Sequence, residues 1–521
     1  MSVILLEPPR PKNKERFEDV VNAPLSSCLF TGYIAAVLKK HTINADIINA
    51  HLHNWSFEQT IANISKKNYS LLCVHVVYLW NDTKNIFDML SFLKLNNHCT
   101  HINLYGYYPT FAYKELLPKY HFIDSVTVGE PEFTVTELAK SVLAENTPLL
   151  SKNITGLAFR EENGNIVFCP RSPIQNLDTL PFPERYDIDV YRQKDIATYI
   201  LGSRGCYGHC TFCYLNPFYG QANTWRGRSA NSIFEEIYTL NKKFSLNNFY
   251  FSDANFFGPG KHGMERATTF ADLILANDLN IRFGFECRVN DIEEKTIAKL
   301  VMAGLTNVFL GLESGDNNSL KRFKKHTTSE ENKKAIHLLR NYGIEPTFGF
   351  IMFEPHSTLQ SIRNNFEFLK ETGIMTSPAV TAHLLHHRQT IFQGTPEYRS
   401  VMHSQLQADN SFSPYEVVYT INDAFANAFS TIITNICKDI LSLLPQIVEC
   451  DTMLPDLYLH SPILKELNST LINAVDDILR EFENTSIVPN SDCLHSTHTE
   501  IINNVKLLLL NTHSLHETKK T

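Results

Sequence analysis

Three cysteines fall within eight residues of the chain, at Cys206, Cys210 and Cys213 in the segment GCYGHCTFC. Thiolates grouped in this way bind zinc or iron. A structural zinc ion takes four protein ligands, and His209 is poorly placed to be the fourth because it adjoins Cys210 in the chain. Iron–sulfur clusters are usually held by four thiolates, so a cluster held by three keeps one iron open to a non-protein ligand. We therefore expect a cluster with one open iron at this loop.

The cysteines directly follow the first of six predicted strands, which alternate with amphipathic helices over residues 197–393. Parallel strands with crossover helices predict a partial (β/α)6 TIM-type barrel, with its chemistry at the carboxyl ends of the strands. Glycines are predicted to end the helices in IAKLVMAGL, IHLLRNYGI and FEFLKETGI. Capping-box spacing predicts helix starts at Asp291 and Thr328. The six strands are ATYILGS, NNFYFSD, IRFGFECR, NVFLGLES, EPTFGFIMF and SPAVTAHLL.

Residues 1–146 carry a separate series of five buried strands and five helices. This rhythm predicts an α/β domain with a doubly wound, Rossmann-like five-stranded parallel sheet. Such sheets bind ligands beyond the carboxyl ends of their strands, where the strand order reverses. No G-x-G-x-x-G sequence follows the first strand, so we do not expect a dinucleotide there.

The two series are joined by residues 147–196, which predict a linker containing a hairpin. Asn163 and Gly164 lie between apolar runs and favour a type I′ turn. The prolines of LPFPERYD stiffen the rest of the linker. After the barrel, residues 394–521 lose the strand–helix rhythm and predict a helical region, to which we assign no chemistry.

The composition is that of an ordinary globular chain, with 43% apolar and 20% charged residues over 521 positions. The net charge of −8 is spread without a basic stripe, which argues against a nucleic acid or an anionic membrane and favours a small-molecule substrate. The N-terminus has no secretory signal pattern, and no run of about 20 apolar residues could span a bilayer. We expect a cytoplasmic protein.

The cysteine spacing C-x3-C-x2-C, with Phe212 before the last cysteine, resembles the signature of the radical S-adenosylmethionine (SAM) enzymes. In that family the open iron of a [4Fe-4S] cluster chelates SAM. An electron from an external donor of the flavodoxin or ferredoxin type then cleaves SAM to a 5′-deoxyadenosyl radical. The resemblance implies that the three cysteines are metal ligands and catalytic.

The resemblance continues at the ends of later strands, where polar side chains would surround SAM. An alternative stays open, in which Glu286, Arg288 and Glu313 form a structural ion-pair layer at the mouth of the barrel. The residues implied in SAM binding besides Phe212 are Asp253 with Asn255, Glu286, Arg288, Glu313 and Ser314.

The N-terminal domain resembles the cobalamin-binding module of cobalamin-dependent radical SAM enzymes, on the segments LLEPP, SSCLFTGYIAAVLKK, GYYPT and VGEPE. An Asp-x-His-x-x-Gly loop is missing from NAHLHN, so His51 and His53 are expected at the surface and the cobalt without a protein histidine. The loop Tyr78, Leu79 and Trp80 would cover the lower face of the cobalamin, or else pack as aromatic core. The other residues implied to line the corrin are Thr31, Gly32, Tyr107, Pro109, Thr110, Gly129 and Glu130.

The resemblance implies a cobalamin-dependent radical SAM methyltransferase. One SAM methylates cob(I)alamin, a second gives the radical, and the methyl group passes to an unactivated carbon, or to a phosphinate phosphorus, of a small molecule. A rearrangement or ring-forming reaction is the alternative, and a non-catalytic cobalamin or iron–sulfur carrier is the rival from another class. His386, His387 and Arg388, after the sixth predicted strand, are candidates for substrate-side groups, with a metal site or a structural role as alternatives.

Overall fold

The computed structural model describes residues 2–10, 29–79, 81–96, 101–144, 153–186, 188–193, 196–220, 225–403, 415–444, 462–489 and 491–517. The N-terminal strands are parallel, in the order β2-β1-β3-β4-β5, with five helices between and after them. Strand order therefore reverses between β1 and β3. The prediction of an α/β chain with parallel sheets is confirmed. The elements are β1 Val3–Glu7, α1 Phe30–Lys40, β2 Ala45–Asn49, α2 Phe57–Ser65, β3 Leu71–His75, α3 Asn81–Leu95, β4 His101–Tyr105, α4 Tyr107–Lys119, β5 Ser125–Thr127 and α5 Glu132–Ala144.

The predicted hairpin extends this sheet. Strands β6 (Leu157–Arg160) and β7 (Ile166–Phe168) are antiparallel, and β6 pairs with β5. The predicted type I′ turn is wrong, because that turn needs positive φ at both central residues and only Gly164 has it, at +85°. Asn163 instead accepts a hydrogen bond from the Asn165 N–H through its side chain, which stabilises a longer loop closed by the glycine.

A second parallel sheet has the order β14-β13-β12-β11-β8, and a short antiparallel ribbon of β9 and β10 stands beside it. The strands are β8 Thr198–Ile200, β9 Ser203–Arg204, β10 Arg226–Gly227, β11 Asn248–Phe251, β12 Arg282–Arg288, β13 Leu305–Glu313 and β14 Thr347–Phe350. The helices are α6 Ile188–Gln193, α7 Leu215–Tyr219, α8 Ala230–Phe244, α9 Gly260–Ala276, α10 Glu294–Met302, α11 Asn317–Arg322, α12 Ser329–Asn341, α13 Leu359–Thr372 and α14 Pro378–His386.

The sixth predicted strand, SPAVTAHLL, is wrong: it forms helix α14. The Ser377 side chain caps this helix by accepting from the Val380 N–H, and Pro378 occupies its first turn, where a missing N–H costs nothing. A short buried apolar run fits a strand or a buried helix equally well, which is why the sequence pattern misled. The chain returns to the sheet afterwards, where Arg388 forms an isolated parallel bridge with Phe353.

The helix ends in this region follow the local sequence signals with one exception. The glycines that end the three helices all have positive φ, as predicted, at Gly304, Gly343 and Gly373. The capping box at Thr328 is confirmed. The one predicted at Asp291 is wrong, because α10 begins after Glu293 and the Asp291 carboxylate accepts hydrogen bonds from other elements.

The C-terminal helices share one hydrophobic core with the second sheet. The rings of Phe353 and Phe429 meet edge to face at 6.3 Å, and Arg363 bonds to Asp476 at 2.6 Å. Along the described chain, no helix has the length and apolar character needed to cross a bilayer. The remaining elements are β15 Ile391–Phe392, α15 Pro396–His403, β16 Glu416–Val417, α16 Ala424–Leu443, α17 Pro462–Asn484 and α18 Ser491–Glu517.

Candidate active site

The cysteine loop follows the β9 strand at the carboxyl edge of the second sheet. Cys206, Cys210 and Cys213 are partly buried, whereas His209 points into solvent. The Gly208 N–H donates to the Cys206 sulfur at 3.3 Å, and burial raises the pKa of the Cys206 and Cys213 thiols. Because a metal ligand must be a thiolate, metal uptake at this loop releases protons.

Arg288, at the end of β12, lies directly against the loop. Its Nη1 is 3.4 Å from the Cys210 sulfur, its Nη2 donates to the Lys325 carbonyl, and its guanidinium lies 5.5 Å from the centre of the Tyr207 ring. A β-carbon on Gly208 would clash with Nη1, so the glycine makes room for the arginine. The arrangement brings a cation to the sulfur side of the loop, where anionic thiolates would need one.

The other side of the loop is held by the segment after α11. The Thr211 N–H donates to the Phe323 carbonyl at 3.1 Å, and the Phe212 ring meets the Phe323 ring edge to face at 5.5 Å. Within the described residues no three Cys, His, Asp or Glu side chains converge around a point that would hold one metal ion.

Asp253 and Asn255 fix the path of the chain around the cysteines. The Asp253 carboxylate accepts from the Gly202 N–H at 2.6 Å and from the Ser203 hydroxyl at 2.7 Å, and burial raises its pKa to about 6. Asn255 donates to Asp291 at 2.6 Å, and Asp291 also accepts from the Tyr207 hydroxyl. Both predicted residues therefore contact the strand and loop that carry the cysteines.

Glu286 differs from the other acids at this edge, because among the described residues its carboxyl has neighbouring charges but no hydrogen-bond partner. Burial, with the nearby charges of Asp253 and Glu313, raises its pKa to about 8. A carboxyl in that state is largely protonated at neutral pH. It can donate one hydrogen bond and accept another, which suits a ligand with hydroxyl or amino groups.

The raised pKa of Glu286 predicts a pH-dependent gain in stability for Glu286→Gln. The unfolded chain ionises this acid near its ordinary pKa of 4.5, whereas the folded chain retains the proton up to about 8. The wild type therefore loses stability across that window as the pH rises, and the uncharged amide does not. Denaturant unfolding measures the free energy of unfolding. Its value for the variant minus that for the wild type should grow between pH 4.5 and about pH 8 and be constant above pH 8.

The matched control is Glu235→Gln, which removes an acid from an exposed position on α8. It measures the effect of removing one carboxyl from the chain, and the difference for Glu286→Gln should be read against it. A flat difference for Glu286→Gln would mean that Glu286 ionises normally in the folded chain.

Glu313 and Ser314 both have protein partners. Glu313 has a φ of +66°, a conformation that costs free energy for a residue other than glycine, and its Oε1 is 2.8 Å from the Lys325 ammonium. The Ser314 hydroxyl is buried and donates to Asn365 at 2.7 Å. Glu313 therefore has an ion-pair partner, whereas Glu286 has none among the described residues, and SAM binding by either acid stays a prediction.

At the carboxyl edge of the N-terminal sheet, several predicted corrin-lining residues have internal partners. The Thr31 hydroxyl bonds to Glu7 and to the Tyr105 hydroxyl, and Gly32 packs against the linker at Pro183 and Glu184. The Thr110 hydroxyl accepts from the Gly129 N–H, and Pro109 is buried in α4.

Sequence reasoning missed the group around Glu7, whose carboxylate bonds to His75 at 2.9 Å and Arg10 at 3.2 Å. Its signal was a charged residue at the end of an otherwise apolar strand.

Tyr78 lies in an aromatic cluster rather than on an open surface. It is 1% exposed, stacks on Phe392 at 4.3 Å and donates to the Gln393 carbonyl at 2.6 Å. Tyr78 therefore packs among aromatic rings, and its contact with cobalamin stays a prediction. Leu79 is partly buried, and Trp80 lies outside the described residues.

The Glu130 carboxylate contacts the second domain. It accepts from Arg204 at 2.7 Å and from Arg226 at 2.9 Å, both on the β9–β10 ribbon that leads into the cysteine loop. Arg204 and Arg226 were not predicted, although GSRGC and VGEPE stood out in the sequence. The ribbon thus connects the edge of the N-terminal sheet to the cysteines.

The segment His386–Arg388, at the end of α14, mainly contacts other residues of the protein. His386 bonds to the Ala382 carbonyl at 2.7 Å, and Arg388 lies 4.9 Å from the Tyr419 ring centre and donates to the Tyr419 carbonyl. Burial lowers the pKa of His387 to about 4, so it is neutral at physiological pH. A substrate contact from these residues stays a prediction, with His387 its strongest candidate.

Residues 200–369 match the family model described as the Radical SAM superfamily. The chain is 26% identical over 382 residues to an uncharacterized methyltransferase of Pyrococcus horikoshii, covering 72% of this chain and 79% of that protein. It is 28% identical over 276 residues to the anaerobic magnesium-protoporphyrin IX monomethyl ester cyclase of Rubrivivax gelatinosus, covering 51% of this chain and 48% of the cyclase.

Among solved structures, the cobalamin-dependent SAM radical enzyme OxsB with aqua-cobalamin bound superposes with a TM-score of 0.79. The match covers 100% of this chain and 81% of OxsB, at 19% sequence identity. The two proteins therefore share a fold.

Proposed function

We propose that this radical SAM enzyme is a cobalamin-dependent methyltransferase that acts on a small molecule. The observation that carries the proposal is the cysteine loop, with three thiols and an adjacent arginine, which is followed by aromatic residues that contact the carboxyl edge of the N-terminal sheet. The acceptor would be an unactivated carbon or a phosphinate phosphorus. A methyltransferase relative and the OxsB fold support this assignment.

The cysteine loop fits a [4Fe-4S] cluster by the chemistry of its donors. Cys206, Cys210 and Cys213 would hold it, and Arg288 would donate to Cys210 and offset the negative charge of the cluster. When bound, the cluster and SAM supply single-electron cleavage of SAM, and cobalamin carries a methyl group. Glu286, with an unpaired and largely protonated carboxyl, would contact SAM.

The edge of the N-terminal domain presents aromatic rings and a glycine, which would suit the flat corrin ring of cobalamin. The Tyr107 ring lies 4.7 Å from the rings of Tyr214 and Phe218, which follow the cysteine loop. Gly129 has a φ of +80°, and a β-carbon there would meet a single neighbour, the Phe218 carbonyl oxygen at 3.7 Å. Space of this kind beside a glycine lets a ligand approach the backbone.

A ring-forming radical reaction is the second candidate, favoured by the match to a cyclase over 51% of the chain. The products of SAM separate the two. A methyltransferase of this kind makes S-adenosylhomocysteine as well as 5′-deoxyadenosine, whereas a reaction without methyl transfer makes 5′-deoxyadenosine alone.

The experiment is anaerobic reconstitution of the full chain with iron, sulfide and hydroxocobalamin, followed by SAM and a low-potential reductant. We expect both S-adenosylhomocysteine and 5′-deoxyadenosine by mass spectrometry. Formation of 5′-deoxyadenosine alone would favour the second candidate. With cluster and cobalamin both bound, the absence of both products would favour a carrier protein and contradict the proposal.

A further inference from the structure

Arg204 lies on strand β9, beside the second sheet, but its side chain is enclosed by residues of the N-terminal domain. Its side chain is 0% exposed, and its two terminal nitrogens bond to Glu130 at 2.7 Å and Glu132 at 2.5 Å. The rings of Phe30 and Tyr33, on α1, lie 5.4 Å from the guanidinium carbon. Every one of these partners comes from the first domain.

The two acids are as deeply buried as the arginine. The side chain of Glu130 is 5% exposed and that of Glu132 is 0% exposed. Arg226, which faces Arg204 across the β9–β10 ribbon, donates to the same Glu130. Two buried arginines and two buried carboxylates therefore neutralise one another, which is the condition under which buried charges are retained.

The ion group of Arg204, Arg226, Glu130 and Glu132 adjoins the cysteine loop through Arg204. Arg204 is separated from Cys206 only by Gly205, whose φ of +75° sets a turn. Glu130 follows Gly129, at the edge of the sheet where the proposed cobalamin would lie. The ion group thus connects the first cysteine to the ligand-binding edge of the other domain through a few covalent bonds on each side.

We propose that Arg204 is a positioning residue that holds the cysteine loop in register with the N-terminal sheet, so that SAM bound at the loop reaches cobalamin bound at the sheet. The inference rests on the proposed function, because it requires a cofactor at the N-terminal edge. Cleavage of SAM needs only groups of the cysteine loop and the second sheet, whereas methyl transfer from SAM to cobalamin needs both domains in register. Loss of Arg204 should therefore separate the two reactions.

The test compares Arg204→Met, Arg204→Lys and Arg363→Met in the reconstituted full chain. Arg204→Met should keep the cluster spectrum and the rate of 5′-deoxyadenosine formation. Its rate of S-adenosylhomocysteine formation should fall by at least about tenfold, since a displacement of about 1 Å between reacting groups can slow a reaction by as much as about 100-fold. Arg204→Lys should be intermediate, because an ammonium replaces only part of the bidentate contact. Arg363 also bonds to acids, namely Glu367, Asp476 and Glu483, but away from the domain junction, so Arg363→Met should change neither product.

A second readout does not depend on turnover. Hydrogen exchange measured by mass spectrometry should become faster in Arg204→Met over residues 125–135 and 203–210, on both sides of the junction. Should Arg204→Met fail to fold, Glu132→Gln makes a milder change, with the same expected ratio of products.

Two results would overturn the inference: unchanged S-adenosylhomocysteine formation in Arg204→Met, or an equal fall in both products. Its failure differs from failure of the proposed function. A wild-type protein that binds cobalamin yet makes no S-adenosylhomocysteine would contradict the proposed function, and the exchange experiment would still decide whether Arg204 couples the two segments.

Discussion

Replacement of Cys210 by alanine is expected to reduce SAM cleavage to the background of the assay. Cys210 is the central cysteine of the loop, and its sulfur is the one that Arg288 contacts, at 3.4 Å. Two remaining thiols would leave two irons of the cluster without protein ligands, and a cluster held in that way is lost or cannot bind SAM at one defined iron. Iron and sulfide content, the absorbance of the cluster and 5′-deoxyadenosine formation should all fall together.

The matched control is the neighbouring residue. His209 is exposed and directly precedes Cys210, so His209→Ala changes the same turn without removing a thiol. We expect His209→Ala to retain iron, sulfide and SAM cleavage. Turnover at the wild-type rate in Cys210→Ala would remove the cluster from its central place in the proposed function. Loss of metal in His209→Ala, with zinc rather than iron in the wild type, would instead support a closed zinc site.

Local signals were enough to predict most of the elements. Apolar runs bounded by turn residues predicted the strands of both sheets, because a strand that is buried on both faces must be apolar along most of its length. The glycines after three helices were predictable since only glycine adopts positive φ there without cost. The cysteine loop was predictable because its three cysteines are close in sequence.

Contacts between distant segments could not be predicted in the same way. Arg204 and Glu132 are 72 residues apart, and nothing in their own neighbourhoods specifies the pairing. Asp291 has capping-box spacing, yet it bonds to Tyr207 and Asn255 because the tertiary fold brings stronger partners. The predicted strand at SPAVTAHLL was wrong for a different reason. Its buried apolar run fits both a strand and a helix, and Pro378 in the first turn favours the helix.

The second large effect is expected at the pair of Glu313 and Lys325. Lys325→Met should lower the free energy of unfolding by about 3–5 kcal/mol, because it leaves a buried carboxylate without its counter-charge. The side chains of Lys325 and Glu313 are 5% and 13% exposed, with 2.8 Å between Nζ and Oε1. The double variant Glu313→Gln with Lys325→Met should recover most of that loss, since both charges are then removed. Denaturant unfolding of the wild type, the two single variants and the double variant gives the coupling energy.

The same four proteins decide between the two interpretations of Glu313. If Glu313 belongs to a structural ion-pair layer, the double variant should regain SAM affinity along with stability. If its carboxylate binds SAM, as the resemblance implies, the double variant should be stable but bind SAM weakly in equilibrium dialysis. We expect the second result, because Glu313 has a φ of +66° at the end of β13, and a conformation of that cost persists where a side chain must be aimed at a ligand. The Glu313 charge is one of the causes that raise the pKa of Glu286, so Glu313→Gln should also narrow the pH window predicted for Glu286.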